Sequence, residues 1–484
     1  MHSNLSKIIA LLLIFTLTGS LLATPAVAIT VKEEKDLSRE FLNVIKSRSY
    51  VIRDQEINAY LNDIGQRILR ALPDQPFDYR FYAIRDDVYN AFASPAGHIF
   101  INSGLFAALD SETELAGIIA HEIAHVVCRH ISQRIERAKK INLATLAGMV
   151  AGVFLGVGGA VSAGSAVTAG SMAAGQSAAL AYSRDDEMQA DQLGLMYLQK
   201  AGYSGAGLLT SLRKIRSKQW FGSDQIPTYL MTHPASEDRM AYIDSWLAQN
   251  EPEASQSTQP VVPRFERMRI RMIALYTDKQ TALAYFRDQV AQSPRDPMIR
   301  YGYALALDRH DLRQAAAEQL LKALEQNALD AHLLQELGRI YFLDGKFEPA
   351  RDTLNSALPL TRYNAEGRFY LGRTLLELNE LEAAATAFEA VLQQQSDYTE
   401  AYYFLGEARG KQGRMSDAHY HLGQYYWRTK DVKNAAFHLR RALKETADPQ
   451  QKKAIEELLA KVAKRQGQEK KAQNTGSPRR QQQP

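Results

Sequence analysis

The sequence predicts a mainly α-helical protein in which an α+β domain precedes an α-superhelical repeat domain. In the first half, strand-like stretches between residues 79 and 101 lie among segments with helical spacing of apolar residues. In the second half, small residues recur every 34 residues, which is typical of stacked helix pairs. A chain of 484 residues is also too long for one hydrophobic core, so several domains are expected.

The N-terminus has the pattern of a secretory signal peptide. Lys7 precedes an uncharged apolar run from Ile8 to Leu22, and Ala26-Val27-Ala28 matches a cleavage site. We therefore predict that residues 1–28 are removed after Ala28 and that the protein is exported. An uncleaved membrane anchor is the alternative, although about 15 apolar residues are short for a bilayer span. The single cysteine, Cys128, fits an exported protein without internal disulfides.

Composition predicts where the domains meet. A polar, proline-containing segment at 251–263 predicts a linker between a domain at 29–250 and a repeat domain at 264–463. Residues 464–484 carry six basic residues and one acid and are predicted to be a disordered basic tail. The net charge is +4 and the tail carries +5, so the body before it carries −1. A near-neutral body gives little support to nucleic-acid binding.

Short elements precede the most informative stretch of the chain. Apolar spacing predicts a helix at 57–69, and residues 79–84 and 97–101 have the composition of strands. The proline and glycine in residues 90–97 mark that segment as a turn rather than a strand interior. Ser111, followed three residues later by a glutamate, predicts a capping box at the start of the next helix.

That helix carries His121-Glu122-Ile123-Ala124-His125 and is predicted to run to about Arg129. Histidines four residues apart share one helix face, so both rings can reach a single ion. Glu122 is placed to contact a water molecule on that ion rather than the ion itself. This spacing is the zincin signature, and it predicts peptide hydrolysis by a zinc-activated water. The alternative is two hydrogen-bonded histidines on an amphipathic helix.

A third ligand must come from another segment. His130 lies nine residues after His121 and is predicted to be a surface or helix-terminal residue rather than a ligand. Glu187 is the better candidate, with Asp191 one turn later on the same helix face. We predict that Glu187 binds the ion while Asp191 holds a ligating imidazole through its other nitrogen. The alternative is a solvated acidic helix face.

Several motifs in order resemble the HtpX and CAAX-endopeptidase-like gluzincin metallopeptidases over about residues 34–245. They are Asn90-Ala91-Phe92-Ala93 with Gly97, Gly104-Leu105, Glu114-Leu115, His121-Glu122-x-x-His125, Ser183-Arg184-x-x-Glu187-x-x-Ala190-Asp191, and Thr232-His233-Pro234 with Arg239. The resemblance implies a zincin-type metalloprotease domain that binds one Zn²⁺ through His121, His125 and Glu187. It also implies Glu122 as the general base, with Asp191 supporting the catalytic site.

The resemblance leads to a hypothesis about His233, which would occupy a fourth, inhibitory position on the ion. Peptide entry would then require movement of the loop at 225–234. The alternative is a loop histidine that only makes hydrogen bonds. Arg239 and Asn90 are candidates for stabilising the transition state, and each is equally a candidate for a structural role.

The repeat half shows its period in three Leu-Gly pairs, at 337–338, 371–372 and 405–406. Alanine follows each glycine by 12 residues, and a larger apolar residue follows it by 16 (Leu354, Phe388 and Leu422). A 34-residue period of this kind is the tetratricopeptide signature. Leu422-Gly423 restarts the pattern half a period early, which predicts that one helix ends one repeat and opens the next.

Residues 141–183 contain no charged residue and are predicted to form an apolar excursion against protein or a membrane surface, with a membrane dip as the alternative. With the signal peptide and the repeats, the chain resembles the family of periplasmic β-barrel assembly-enhancing proteases. That resemblance implies a periplasmic location, misfolded or unassembled envelope proteins as clients, and the β-barrel assembly machinery as a partner of the repeats. A mainly non-proteolytic chaperone or scaffold with a silenced zinc site is the alternative function.

Overall fold

A computed structural model of the protein describes residues 29–47, 50–137, 182–220, 228–234, 236–251, 263–361 and 365–475. The chain divides into two compact units, Met1–Met272 and Ile273–Pro484, each described by itself. The predicted signal peptide, nearly all of the predicted linker and nearly all of residues 141–183 lie outside the described residues. Within the described ranges, no helix combines the length and apolar character that a membrane span requires.

The first unit consists of helices around a small sheet. Its helices are α1 (Val31–Ser47), α2 (Gln55–Leu69), α3 (Ser103–Ala108), α4 (Glu112–Val127), α5 (His130–Arg137), α6 (Arg184–Ala201), α7 (Ala206–Trp220), α8 (Thr228–Thr232), α9 (Glu237–Asn250) and the greater part of α10 (Pro263–Tyr276), and its strands are β1 (Arg80–Ile84), β2 (Ala91–Ala93) and β3 (His98–Asn102). This mixture confirms the predicted α+β fold class of the first half.

The sheet corrects one prediction for the segment between the two predicted strands. Its strand order is β1-β3-β2, with β1 parallel and β2 antiparallel to the central strand β3. Residues 91–93, predicted to belong to a turn, therefore form an edge strand, and only Pro95–Gly97 form a tight 3₁₀ turn. All three residues of β2 are buried, so the strand lacks the alternation of polar and apolar residues that would have predicted it.

Helix α4 forms the centre of the first unit and is buried along nearly its whole length. Its start is half of the predicted capping box: Ser111 Oγ accepts from the backbone N–H of Glu114 at 3.2 Å, while the Glu114 carboxylate accepts from Asp110 N instead. Helix α7 crosses α4 closely, because a Cβ at Gly117 would lie only 2.6 Å from the backbone nitrogen of Leu208.

The second unit consists of successive helices, as the 34-residue period predicted. They are α11 (Lys279–Gln292), α12 (Pro297–Asp308), α13 (Arg313–Leu324), α14 (Ala331–Leu343), α15 (Phe347–Ala357), α16 (Ala365–Glu377), α17 (Leu381–Gln394), α18 (Thr399–Lys411), α19 (Met415–Arg428), α20 (Val432–Glu445) and α21 (Pro449–Thr475). Helix α19 packs against both α18 and α20, so one helix does close one pair and open the next.

Helix α21 changes the predicted end of the fold. It continues to Thr475, so residues 464–475 are helical although the sequence predicted a disordered tail from residue 464. Lysine, glutamine and alanine, which dominate this stretch, all have high helix propensity, and their charge alone therefore does not prevent a helix.

Candidate metal centre

Four side chains that could bind a metal converge inside the first unit. His121 and His125 come from α4, Glu187 comes from α6, and His233 follows α8. Each offers one ligand atom, and these atoms all lie within 4.8 Å of one another. All four side chains are at most 1% exposed. The structure therefore brings together the three predicted ligands and the hypothesised fourth.

The spacing of the four ligand atoms matches a small tetrahedral ion. His121 Nε2 lies 3.0 Å from His125 Nε2 and 3.4 Å from His233 Nδ1. Glu187 Oε1 lies 3.4 Å from His125 Nε2 and 3.0 Å from His233 Nδ1. Zinc bonds of about 2.0–2.1 Å place tetrahedral ligand atoms about 3.3 Å apart. Imidazole nitrogens and a carboxylate oxygen are also ligands that zinc accepts, so the residues fit this ion.

Asp191 lies where a carboxylate that orients a ligand was predicted. Its Oδ1 is 3.0 Å from His121 Nδ1, so His121 is left with Nε2 facing the other ligand atoms. Arg239 donates to both oxygens of Asp191, from Nε at 2.7 Å and from Nη2 at 2.8 Å. Burial acts to raise the pKa of Asp191, but the neighbouring Arg239 guanidinium outweighs it and lowers that pKa.

Arg239 also contacts a second carboxylate, Glu187 Oε2, and donates from Nη1 to the carbonyl of Pro234 at 2.9 Å. Its guanidinium thus connects a predicted ligand, the residue that orients His121, and the loop that carries His233. These contacts favour the structural alternative for Arg239 over a direct role in the transition state. For Asn90, the buried position beside β2 and the hydrogen bond from Asn102 N to its carbonyl, at 3.0 Å, likewise favour a structural role.

Glu122 lies one step around α4 from His121 and is fully buried. Neither of its carboxylate oxygens has a hydrogen-bond partner among the described residues, although Oε1 is 3.7 Å from His233 Nε2. Burial raises the pKa of Glu122, which eases the uptake of a proton. A buried carboxylate with free acceptor sites beside the ligand cluster is suited to the predicted role of general base.

His233 presents one ring nitrogen to the ligand cluster and the other to Glu122. Its ring stacks on Tyr229, with ring centroids 4.5 Å apart, and lies 4.7 Å from the ring of Tyr182. The backbone N–H of His233 donates to Tyr229 O at 2.7 Å. The imidazole therefore stands between the predicted ligands and the predicted base. Of the loop at 225–234, residues 225–227 lie outside the described residues.

The prediction for His130 is wrong in one respect. The residue contributes no atom to the ligand cluster, as predicted, but it is 2% exposed rather than on the surface. Its Nδ1 is 2.8 Å from His125 Nδ1, and its Nε2 is 2.9 Å from Gln189 Oε1. Sequence spacing missed this contact because the chain turns sharply at Arg129, which adopts a left-handed conformation with φ 56°.

Comparisons with known proteins agree with both halves of the structure. Residues 52–247 match the model of peptidase family M48, and residues 370–418 and 416–449 match tetratricopeptide repeat models. The "Beta-barrel assembly-enhancing protease" of Yersinia pestis is 26% identical over 318 residues, which are 65% of this chain and 63% of that protein. The protein of the same name from Escherichia coli K12 is 24% identical over 306 residues, 62% of each chain.

The matched region thus spans less than two thirds of the length of these relatives. Among solved structures, the crystal structure of MamA protein is similar, with a TM-score of 0.30 and 18% identity over 35% of this chain and 94% of that one. Family M48 consists of metallopeptidases, in agreement with a buried cluster of residues able to hold a metal ion. Residues 52–247 therefore form a domain of peptidase family M48, and tetratricopeptide repeats follow it in the same chain.

Proposed function

We propose that the protein is a periplasmic zinc metalloendopeptidase that degrades misfolded or stalled envelope proteins and supports the assembly of outer-membrane β-barrel proteins. The observation that carries the proposal is the convergence of His121, His125 and Glu187 next to a buried, unpartnered Glu122. Three protein ligands and an adjacent carboxylate are the equipment of a zinc-dependent hydrolase.

Each side chain has a defined part in this chemistry. A zinc ion held by His121, His125 and Glu187 would activate a water molecule and polarise the peptide carbonyl. Glu122 takes the proton from that water and passes it to the leaving amine, which its raised pKa favours. Asp191 keeps the proton of His121 on Nδ1, so that Nε2 is free to bind the ion.

The substrate and the location are proposed from the relatives and from the sequence. The relatives are named for enhancing β-barrel assembly, and residues 1–28 have the pattern of a signal peptide. Tetratricopeptide repeats mediate contacts between proteins, so the second unit is proposed to bind envelope clients and the β-barrel assembly machinery. Peripheral contact of residues 141–183 with a membrane remains part of the proposal.

A second candidate function is a chaperone or scaffold whose peptidase site is silent. The position of His233 favours it, because this side chain stands where a catalytic zinc site keeps a position open for water or substrate. In this function the repeats alone would support assembly.

One experiment separates the two functions: zinc analysis combined with a casein-cleavage assay on the wild type and Glu122→Gln. If the site is a peptidase, both proteins bind about one zinc per chain, and the variant loses cleavage by about 10²–10⁴-fold. Glu237→Gln is the control, because that carboxylate lies exposed at the start of α9 and should leave cleavage unchanged. A wild type that cleaves nothing, with full function of Glu122→Gln in cells, would establish the scaffold instead.

A further inference from the structure

The two predicted histidine ligands are supported by different chemical groups. His121 Nδ1 faces the carboxylate of Asp191 at 3.0 Å, whereas His125 Nδ1 faces another imidazole, that of His130, at 2.8 Å. A ligating histidine needs its second nitrogen held, because that contact fixes both the ring orientation and the nitrogen that carries the proton. His130 is in position to do this for His125.

The turn after α4 places His130 against His125. Helix α4 ends at Val127, Arg129 adopts φ 56°, and α5 begins at His130. The left-handed residue reverses the chain direction, so a side chain five positions after His125 meets its ring. Arg129 is held in this conformation by its side chain, which donates from Nε to Oε1 of the buried Glu34 at 2.6 Å. The contact between the imidazoles is therefore built into the fold.

The hydrogen bonds of His130 are consistent with one assignment of protons. His125 turns Nε2 towards the ligand cluster, so the neutral ring carries its proton on Nδ1 and donates it to His130 Nδ1. The proton of His130 then lies on Nε2, which donates to Gln189 Oε1 at 2.9 Å. The carboxylate of Asp186 stands farther from this nitrogen, at 3.8 Å. The geometry of the chain His125–His130–Gln189 allows every ring nitrogen one role.

We infer that His130, supported by Gln189, is a positioning residue that holds His125 in the orientation and tautomer required for metal binding. The inference rests on the proposed metal centre. Gln189 lies on α6 between Glu187 and Asp191, so this helix would supply a ligand and the support for both ligand histidines. Loss of a residue that holds a ligand typically weakens metal binding by 10–100-fold.

The test is the zinc dissociation constant of the full chain, measured by chelator competition, for His130→Leu, His130→Asn, Gln189→Ala and the wild type. Leu fills the space but cannot accept a proton, so His130→Leu should bind zinc about 10–100-fold more weakly. Asn offers an acceptor oxygen close to the position of His Nδ1, so His130→Asn should stay within about threefold of the wild type. Gln189→Ala should weaken binding by about 2–10-fold. Gln199→Ala, on an exposed position of the same helix, is the matched control.

The order of the two His130 variants distinguishes positioning from packing. If His130 only filled space, Leu would bind zinc like the wild type and Asn would be the weaker variant, and this result would overturn the inference. If His130→Leu does not fold, as judged by circular dichroism of the metal-free protein, an unchanged affinity in Gln189→Ala overturns it instead. A wild type that binds no zinc would refute the proposed function itself, and the inference with it.

Discussion

His233 shows how one side chain can decide whether the site is open. Nδ1 lies 3.4 Å from His121 Nε2 and 3.0 Å from Glu187 Oε1, while Nε2 lies 3.7 Å from Glu122 Oε1. An active site needs a water or a peptide carbonyl between the ligands and the base, and the imidazole stands in that place. We therefore expect His233 to inhibit hydrolysis until the segment that carries it moves.

Replacing His233 by alanine tests this hypothesis at the scale of one residue. Because the fourth position opens, we expect casein cleavage to rise by at least about threefold, while the zinc affinity falls because one ligand is lost. Cleavage rates and zinc dissociation constants should be measured on the same samples. Met231→Ala is the control, since this side chain is half exposed on the same helix. Unchanged or reduced cleavage in His233→Ala would contradict an inhibitory role.

At the scale of elements, the glycines of the repeat half allow paired helices to approach each other. A Cβ at Gly338 in α14 would lie 2.5 Å from Cγ of Leu354 in α15, and one at Gly423 in α19 would lie 2.7 Å from Cγ of Leu439 in α20. In both pairs the contacting leucine follows the glycine by 16 residues. The sequence period therefore reports a repeated contact between consecutive helices.

This contact predicts opposite effects for the same substitution at two helical glycines. Gly338→Ala forces a methyl group against the fully buried Leu354, so we expect the free energy of unfolding to fall by about 1–2 kcal/mol, although alanine favours the helix. Gly467→Ala, in α21, meets no atom within 4 Å and should raise stability by about 0.5–1 kcal/mol. Urea unfolding of both variants measures the difference. Equal effects at the two positions would show that the crossing is not tight.

At the scale of the whole molecule, the four atoms of the candidate metal centre all lie in the first unit, between residues 121 and 233. An ion bound there links helices α4 and α6 and the segment after α8, which are distant in sequence. Binding to the folded state alone stabilises a unit by mass action. The repeat unit contributes no atom to this cluster, so its stability should not depend on the metal.

Removal of the metal should therefore affect one of two unfolding transitions. At zinc concentrations 1,000-fold above the dissociation constant, binding contributes about 4 kcal/mol. For a unit of this size, chelation should lower the Tm of the first unit by about 8–16 °C. Differential scanning calorimetry with and without EDTA measures both transitions. Glu187→Gln, which loses a predicted ligand, should respond little to EDTA, and a chelator-induced shift of the repeat transition would contradict the prediction.

Local patterns in the sequence determined much of the fold and of the candidate site. Four-residue spacing on a helix is sufficient to place His121 and His125 on one face, and the same rule relates Glu187 to Asp191. The 34-residue period and the Ser111 cap are equally local. These features follow from helix geometry, which depends on residues close in sequence, and could therefore be predicted without knowledge of the tertiary structure.

The tertiary structure alone decided which distant residues meet. Arg239 binds Asp191 across 48 positions, His130 is buried against His125 and Gln189, and residues 91–93 become an edge strand by pairing with β3. Each outcome depends on a close approach between segments or on a single left-handed residue such as Arg129, and no periodicity records either. Spacing along the chain thus identified the chemical groups of the site, whereas packing between α4, α6 and the segment after α8 decided which group supports or blocks which.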